Sequence, residues 1–194
     1  KKDGPLDRHQ QLLSEYQSHL LLWNKTHNLV SKTQEKNIAE HIEECLLIAP
    51  GLSENVIDLG SGGGLPGIPL AITNPNKNFF LIESNTKKSA FLLNTTSKLH
   101  LTNTKVLNQR IEDIDISLLP GGLDVVCRAV GSTQIVVGLV SHILKEPGSR
   151  LKLMKTEEQF KEETLPPGFR VKKIDKFPLK AKDKTRILVT IESE

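Results

Sequence analysis

Apolar residues recur at intervals of three or four in two series within the first fifty residues of the chain. This spacing places apolar side chains on one face of a helix. Asp7 and Gln10 have the spacing of a capping box at the start of the first helix, and Pro50-Gly51 is a typical stop after the second. Residues 24–31 form a polar connection between them. The predicted helices carry their apolar positions at Leu12, Leu13, Tyr16, Leu20 and Trp23, and at Ile38, Ile42, Cys45, Leu46 and Ala49.

After residue 52 the pattern changes to short apolar runs, which alternate with helical stretches over residues 68–73, 86–99 and 132–145. Short apolar runs between turn signals are typical of buried strands, and alternation with helices indicates a parallel sheet. The last two runs are joined by a turn, so they must pair antiparallel. The predicted strands cover residues 56–59, 79–82, 105–107, 123–127, 151–154, 169–177 and 186–192.

These elements predict an α/β protein with a mostly parallel sheet and an antiparallel C-terminal hairpin at one edge. We expect a helical extension over residues 1–51, with Trp23 as its core anchor, and a main domain over residues 52–194.

The composition, with 37% hydrophobic and 25% charged residues in a chain of 194, is typical of a soluble globular protein. Cys45 and Cys127 are too few for a disulfide framework or a thiolate zinc site, so we expect buried thiols and no metal. No stretch approaches the roughly 20 apolar residues of a membrane span, and the start lacks a signal-peptide pattern. We therefore expect a cytoplasmic protein.

The net charge of +3 is unevenly placed, because residues 170–186 hold eight basic residues against two acidic ones. This segment indicates either a polyanionic partner or a solvated edge hairpin that lysines protect from further pairing. Lys87 and Lys88 are further candidates for contact with RNA phosphates.

A glycine-rich loop, Asp58 to Gly67, follows the first strand of the predicted main domain. Its glycines, among them Gly60, Gly62 and Gly64, leave no side chain between the backbone and a ligand. Glu83 ends the next strand, 23 residues after Gly60, where a carboxylate accepts hydrogen bonds from the ribose hydroxyls of an adenosine-containing ligand. A glycine turn without any ligand is the alternative.

Two details favour S-adenosylmethionine over NAD as that ligand. The glycines are more tightly bunched than in a dinucleotide loop. Asp58 precedes the loop and would lie near a cationic sulfonium or ammonium group, whereas a carboxylate is unhelpful beside a pyrophosphate.

Three further strand ends supply candidate site residues. Ile111 and Glu112 follow a strand at a position that borders an adenine, although Glu112 is equally compatible with a solvated turn. Arg128 ends a strand that faces the ligand crevice, and because an unpaired buried arginine is costly, it should meet a carboxylate or the substrate. Arg128 is therefore the candidate catalytic residue, and Lys155 follows from the same argument with less force.

Two residues of the helical extension are weaker candidates for contact with RNA. Asn28 lies in the polar connection, which could cover the crevice. His41 lies on the second helix and could contact RNA, the cofactor or only the core.

The run from Val56 to Leu70 resembles the ribosomal RNA small subunit methyltransferase G family, also called glucose-inhibited division protein B. Its extension Leu-Pro-Gly-Ile-Pro, residues 65–69, is much more specific than a bare glycine fingerprint. Further matches cover nearly the whole chain: Trp23-Asn24-Lys25, Asn28-Leu29, His41, Glu83-Ser84, Lys87-Lys88, Phe91-Leu92, Arg110-Ile111-Glu112 and Arg128-Ala129.

The resemblance implies a class I, Rossmann-like methyltransferase that uses S-adenosylmethionine to methylate N7 of one guanosine in 16S ribosomal RNA. It implies cofactor contacts for Gly60 and Leu65, adenine contacts for Ile111 and Glu112, and a place near the cofactor for Arg128. The expected partner is 16S ribosomal RNA or the small ribosomal subunit, and the expected state is a monomer. Guanine N7 carries a lone pair and no proton, so alignment suffices and no catalytic dyad is expected.

The chain departs from the family pattern at three places. The family usually has His-Ile-Leu-Asp-Ser where this chain has residues 41–45, His-Ile-Glu-Glu-Cys, which leaves the choice of nucleotide open. It usually has aspartate at Glu83 and serine at Cys127, and Glu83 keeps the carboxylate. Competing functions are methylation of another RNA, a protein or a small molecule, an NAD-dependent oxidoreductase, and a non-catalytic RNA-binding module.

Overall fold

Seven strands form one sheet in this computed structural model, which describes residues 4–128, 130–179 and 185–194. The strands are β1 (Asn55–Leu59), β2 (Asn78–Ile82), β3 (Thr104–Leu107), β4 (Leu123–Arg128), β5 (Arg150–Thr156), β6 (Phe169–Pro178) and β7 (Thr185–Ser193). Their order is β3-β2-β1-β4-β5-β7-β6. The first five run parallel, and β7 pairs antiparallel with both β5 and β6. The predicted parallel sheet with a C-terminal hairpin is confirmed.

Seven α-helices surround this sheet in the described part of the chain. They are α1 (Pro5–His27), α2 (Lys32–Lys36), α3 (Ile38–Leu46), α4 (Gly67–Thr73), α5 (Thr86–Lys98), α6 (Thr133–Leu144) and α7 (Glu157–Lys161). The hydrophobic pattern missed α2 and α7 because five residues are too few for an apolar stripe. Each nevertheless begins with a capping box, Ser31 with Gln34 and Thr156 with Gln159, which is a signal in the sequence.

Helix α1 corrects two predictions about the N-terminal segment. The backbone amide of Gly4 donates to the Asp7 carboxylate at 3.3 Å, so Asp7 lies in the first turn and does not cap a helix with Gln10. The helix also continues through residues 24–27, which were predicted as connection, and turns at Asn28 with a φ of 48°. Asn24 closes this turn, because its side-chain oxygen accepts from the amide of Val30 at 2.9 Å.

The core divides into one apolar cluster on each face of the sheet. Tyr16 and Leu20 of α1 are completely buried in the first cluster, together with Val56 of β1 and Phe91 of α5. The partly buried Trp23 packs against that cluster, as predicted for a core anchor. Helix α6 covers the other face and contacts the second cluster. The extension thus shares a core with the sheet, and the division of the chain at residue 51 stays a prediction.

Cys45 and Cys127 are free and buried, as expected. Burial raises the pKa of both thiols to about 12. Within the described residues, no helix is long and apolar enough to cross a membrane. The same residues contain no group of three or more His, Cys, Asp or Glu side chains arranged for a metal ion.

Candidate active site

The order in which the chain adds strands reverses between the parallel strands β1 and β4, and this point locates a crevice at one edge of the sheet. The chain proceeds from β1 to β2 and β3 on one side, and from β4 to β5 on the other. In an open parallel sheet, ligands bind at the carboxyl ends of strands that flank such a point. Gly60 directly follows β1, and Arg128 ends β4, so the structure brings these two predicted site residues to the same crevice.

The glycine loop closes tightly on its own backbone. The amides of Gly60 and Ser61 both donate to the carbonyl of Ile82, at 2.9 and 3.1 Å. Gly60 has a φ of +68°, and a Cβ added there would lie 3.0 Å from Val130. Since residues with side chains rarely adopt this backbone conformation, the loop requires glycine at this point and presents bare backbone to the crevice.

Helix α1 supports the back of this loop. The Tyr16 hydroxyl donates to the carbonyl of Gly63 at 2.6 Å. A Cβ added at Gly63 would lie 3.0 Å from Leu20. Burial raises the pKa of Tyr16 well above its ordinary value, so the hydroxyl keeps its proton and remains a donor. The hydrophobic spacing of α1 placed Tyr16 in the core but gave no sign of its contact with the loop.

Asp58 lies beneath the loop and is completely buried. Its Oδ2 accepts from the amide of Gly67 at 2.9 Å, while Oδ1 is buried with no hydrogen-bond partner in the described structure. Burial raises the pKa of Asp58 to about 7, although the amide of Gly67 favours the ionised form. The observed role of Asp58 is therefore to fix the start of α4, and its contact with a cofactor stays a prediction.

Glu83 lies beside the loop at the end of β2, with 8% of its surface exposed. Its Oε2 accepts from the amide of Gly62 at 2.9 Å, and its Oε1 accepts from the amide of Asn85 at 2.8 Å. Each carboxylate oxygen can accept a second hydrogen bond. The carboxylate is thus held in place by backbone and retains the capacity to bind a ribose.

The remaining predicted cofactor contacts lie at the same edge. Ile111 and Glu112 form a short 3₁₀ helix after β3, in which Ile111 is buried in the second core cluster and Glu112 is exposed. The exposure of Glu112 is compatible both with an adenine contact and with a solvated turn. Leu65 is partly buried against the first core cluster.

Arg128 makes the ion pair that its position predicted. Its NH2 group donates to the Glu44 carboxylate of α3 at 3.2 Å and contacts the ring nitrogen Nδ1 of His41. Its NH1 group donates to the carbonyl of His41 at 3.3 Å. Arg186 of β7 donates to the same oxygen of Glu44 at 3.1 Å. Arg128 therefore links β4 to α3.

Glu44 and Arg186 are site residues that the sequence reasoning missed. Burial of Glu44 would raise its pKa, but the neighbouring His41 ring and the charges of Arg186 and Arg128 outweigh it and lower the pKa. The carboxylate is therefore ionised at neutral pH. For Glu44, the signal in the sequence was the departure from the family pattern at residues 43–45.

A cavity of about 410 Å³ opens at the carboxyl ends of β4 and β5. Arg128, His41 and Glu44 line it together with Lys155. Lys155 donates to Glu163, also in the wall, at 2.8 Å and to the carbonyl of Gly131 at 3.3 Å. The structure thus brings three predicted site residues into one cavity and pairs the lysine with a carboxylate.

Asn28 and Lys88 line a second cavity of about 480 Å³, together with Lys25 and Lys32. Gln34 lines both cavities, so the two are neighbours. Lys87 is exposed in the first turn of α5. These candidates for RNA contact are therefore separate from the cavity that contains Arg128.

The basic C-terminal segment leaves both of its interpretations open. Each basic residue described there contacts a carboxylate: Arg170 and Lys172 pair with Glu192, Lys173 with Asp175, Lys176 with Glu157, and Arg186 with Glu44. The four basic side chains on the edge strand β6 are at least half exposed, as on a solvated edge. Lys180, Lys182 and Lys184 lie outside the described residues.

Comparison with known proteins identifies the family. The profile described as GidB, rRNA small subunit methyltransferase G, matches residues 9–185. The chain belongs to this family. It is 35% identical over 184 residues to the ribosomal RNA small subunit methyltransferase G of Hydrogenovibrio crunogenus, covering 93% of this chain and 83% of that protein. It is 37% identical over 150 residues to the protein of the same name from Coxiella burnetii strain Dugway 5J108-111, covering 75% of this chain and 71% of that protein.

The fold is that of Rossmann-like methyltransferases, as predicted. A solved structure of a SAM-dependent methyltransferase from Aquifex aeolicus superposes on the chain with a TM-score of 0.56 at 16% identity. The match covers 87% of this chain and 97% of that one. At this identity the likeness establishes the fold, and the family match carries the resemblance to methyltransferase G.

Proposed function

We propose that this chain transfers the methyl group of S-adenosylmethionine to N7 of a guanosine in 16S ribosomal RNA. The observation that carries the proposal is the direct approach of the glycine loop to the segment after β4, where a Cβ on Gly60 would lie 3.0 Å from Val130. Val130 also lines the cavity that contains Arg128. A cofactor on the loop and an acceptor in the cavity would therefore be neighbours. Relatives named ribosomal RNA small subunit methyltransferase G support the RNA acceptor.

The residues at the ends of β1, β2 and β3 suit the adenosyl cofactor. Glu83 offers two carboxylate oxygens to the ribose hydroxyls, and the amide of Gly62 already orients it at 2.9 Å. Gly60 and Gly64 present no side chain at their positions in the loop, and the segment that begins at Ile111 would border the adenine. Asp58 supports the assignment through its buried Oδ1, which has no hydrogen-bond partner among the described residues, since a carboxylate at the loop favours a cationic ligand. Leu65 and Glu112 complete the proposed contacts.

The reaction requires the protein mainly to align the two reactants, because N7 of guanine attacks without losing a proton. Bound S-adenosylmethionine supplies an electrophilic methyl group on its sulfonium. Transfer would form the N7–CH₃ bond as the S–CH₃ bond breaks, which would move the positive charge from the sulfur to the base. Holding two reactants in the correct geometry is a large source of rate enhancement by itself. Arg128 contributes by fixing the cavity wall between β4 and α3.

The acceptor RNA would be held by two groups of residues. His41 and Lys155 line the cavity itself, which supports a role for both in contacting the nucleotide. Asn28, Lys87 and Lys88 lie outside it, where basic side chains would contact RNA phosphates and position the strand. The modest net charge of +3 favours an assembled small ribosomal subunit over free RNA, because few phosphate contacts give low affinity for RNA in general. We propose that the protein acts as a monomer.

The test is transfer of radiolabel from S-adenosylmethionine to small ribosomal subunits that lack the modification. We expect label at N7 of one guanosine, which alkaline borohydride and aniline cleavage would map because a 7-methylguanosine is chemically labile. Free 16S ribosomal RNA serves as the comparison acceptor and should accept less label. Donor binding without label on either acceptor would overturn the proposal and redirect it to another RNA, a protein or a small molecule.

An oxidoreductase and a non-catalytic RNA-binding module would each behave differently in binding experiments. An NAD-dependent oxidoreductase would be stabilised by the dinucleotide and not by S-adenosylmethionine. A non-catalytic RNA-binding module would bind RNA in a salt-sensitive manner and would have no affinity for the methyl donor.

A further inference from the structure

Glu44 makes contacts at the cavity wall that are not needed to align the cofactor. Its carboxylate reaches the cavity wall from α3 and is only 8% exposed. Arg128 and Arg186, from two different strands, both contact Oε2, at 3.2 and 3.1 Å. Across the described residues, the side-chain hydrogen bonds and ion pairs of Glu44 all end on Oε2. Oε2 thus accepts hydrogen bonds from both arginines, and the Glu44 side chain borders the cavity.

Stability alone is a poor explanation for this cluster. Removing charges from water costs several kcal/mol for each ion, which offsets much of their attraction, so buried ion pairs often contribute little to the free energy of unfolding. An ionised carboxylate, however, has a chemical property that a neutral group lacks: it only accepts hydrogen bonds. The pair of arginines keeps Glu44 in that state.

Methylation at N7 restricts how a guanine can be recognised. The N7 lone pair must point at the methyl group, so a protein donor on N7 would block the reaction. Recognition then falls to O6 and to the opposite, Watson–Crick edge of the base. Enzymes that act on an extruded base read that edge through hydrogen bonds. On it, guanine presents N–H donors at N1 and N2, whereas adenine presents a lone pair at N1. A carboxylate therefore attracts guanine and repels adenine.

Of the two carboxylates in the cavity wall, Glu44 is better placed for this task. Glu163 uses both of its oxygens, Oε1 with Lys155 at 2.8 Å and Oε2 with the hydroxyl of Thr133. Glu44 concentrates its contacts on Oε2. The cavity volume of about 410 Å³ falls within the range of roughly 300–1,000 Å³ that is usual for small-molecule sites.

We propose that Glu44 is the specificity-determining residue of this cavity, and that its carboxylate, held by Arg128 and Arg186, accepts hydrogen bonds from the Watson–Crick edge of the acceptor guanine. This inference rests on the proposed function, because it takes the cavity as the acceptor site. The same negative charge offsets the positive charge that guanine gains when N7 is methylated.

The test compares the binding of guanosine 5′-monophosphate and adenosine 5′-monophosphate to the full chain saturated with S-adenosylhomocysteine, by ligand-observed NMR titration. We expect the wild type to prefer the guanine nucleotide by about 10- to 100-fold, the discrimination of one hydrogen bond to a charged group. Glu44→Gln should bring the ratio of the two dissociation constants close to one. Glu43→Gln, at the exposed neighbouring position, is the matched control and should keep the wild-type ratio.

The ratio separates base recognition from a structural role, because a distorted cavity weakens both nucleotides together. A wild-type ratio near one, or an undiminished ratio in Glu44→Gln, overturns the inference. If Glu44→Gln fails to fold, Glu44→Asp is the deciding variant. Aspartate keeps the negative charge but is one methylene shorter, so its carboxylate lies farther from the base and the guanine preference should fall several-fold. An unchanged preference overturns the inference.

The binding readout also distinguishes this inference from the proposed function. A guanine preference that depends on Glu44, in a protein that labels no ribosomal subunit, supports base recognition and overturns only the RNA acceptor. If the subunit is labelled and the guanine preference is the same in wild type and Glu44→Gln, the proposed function stands and the inference about Glu44 is overturned.

Discussion

The two halves of the crevice are formed by different chemical groups. Around β1, β2 and β3 the site consists mainly of backbone: the amides of Gly60 and Gly62 are fixed by Ile82 and Glu83. Around β4, β5 and β7 the cavity wall contains several charged side chains, with Glu44 between two arginines. The first half should therefore be sensitive to added volume and the second to lost charge. In the proposed function, that difference separates binding of the cofactor from selection of the acceptor.

The largest expected effect is that of Arg128→Ala, on the side-chain half. The substitution removes the link between β4 and α3, and a misplacement of about 1 Å in an active site can cost about 100-fold in rate. We expect kcat/KM for subunit methylation to fall by about that factor while the affinity for S-adenosylmethionine changes little. Steady-state kinetics and calorimetry measure the two quantities.

Arg170→Ala is the control for Arg128→Ala, because Arg170 also pairs with a glutamate but its side chain is 63% exposed. It should leave both quantities unchanged. Wild-type turnover in Arg128→Ala, in a protein with a native circular dichroism spectrum, would exclude a role for Arg128 and remove the contrast between the halves.

Glu83→Gln should have the next largest effect, on the cofactor half. Hydrogen bonds to charged groups contribute about 1.5–3 kcal/mol, and glutamine offers only one oxygen where Glu83 now uses two. We expect a loss of that order in the free energy of binding S-adenosylhomocysteine, measured by calorimetry. The guanine preference of the cavity should persist. Glu146→Gln, at an exposed position, is the control, and equal affinities in the two variants would contradict the assignment of Glu83.

Gly67→Ala tests the sensitivity of the cofactor half to volume. A Cβ at Gly67 would lie 2.5 Å from Oδ2 of Asp58 and 2.5 Å from Leu81. Overpacking of this kind costs about 1–3 kcal/mol of the free energy of unfolding, and the donor affinity should fall as the loop shifts. Urea denaturation measures the first effect and calorimetry the second.

Gly138→Ala is the matched control for Gly67→Ala. Gly138 lies in α6 with nothing within 4 Å of an added Cβ. Alanine in a helix is favoured over glycine by about 0.5–1 kcal/mol, so this variant should be slightly more stable than the wild type. Equal stability of the two variants would show that volume does not limit the loop.

Tyr16→Phe should have the smallest effect, because it removes one hydrogen bond and keeps the packing of the ring. The carbonyl of Gly63 loses its donor at 2.6 Å, at a cost of about 1 kcal/mol in the free energy of unfolding. Thermal denaturation with and without S-adenosylmethionine measures the change. Ser14→Ala, at an exposed position of the same helix, should be silent, and a Tyr16→Phe midpoint that matches it would mean that α1 does not stabilise the loop.

The cofactor half could be predicted because its residues lie close together in the sequence. The loop from Asp58 to Gly67 and the carboxylate of Glu83 come from two consecutive strands, and parallel topology alone brings their carboxyl ends together. The alternation of strands and helices likewise determined the order of elements. Asp58 shows the limit of this reasoning, since its burial beneath the loop depends on the packing of α4.

The acceptor half depended on the tertiary structure. Glu44 and Arg186 are 142 residues apart, and no local pattern relates a helix of the extension to the last strand of the hairpin. The amino-acid sequence determined most of the secondary structure, the mostly parallel sheet and the glycine loop, because periodicity and turn chemistry act over short distances along the chain. Only the folded chain decided which charges meet around Arg128, because partners for buried charges are selected by packing in space.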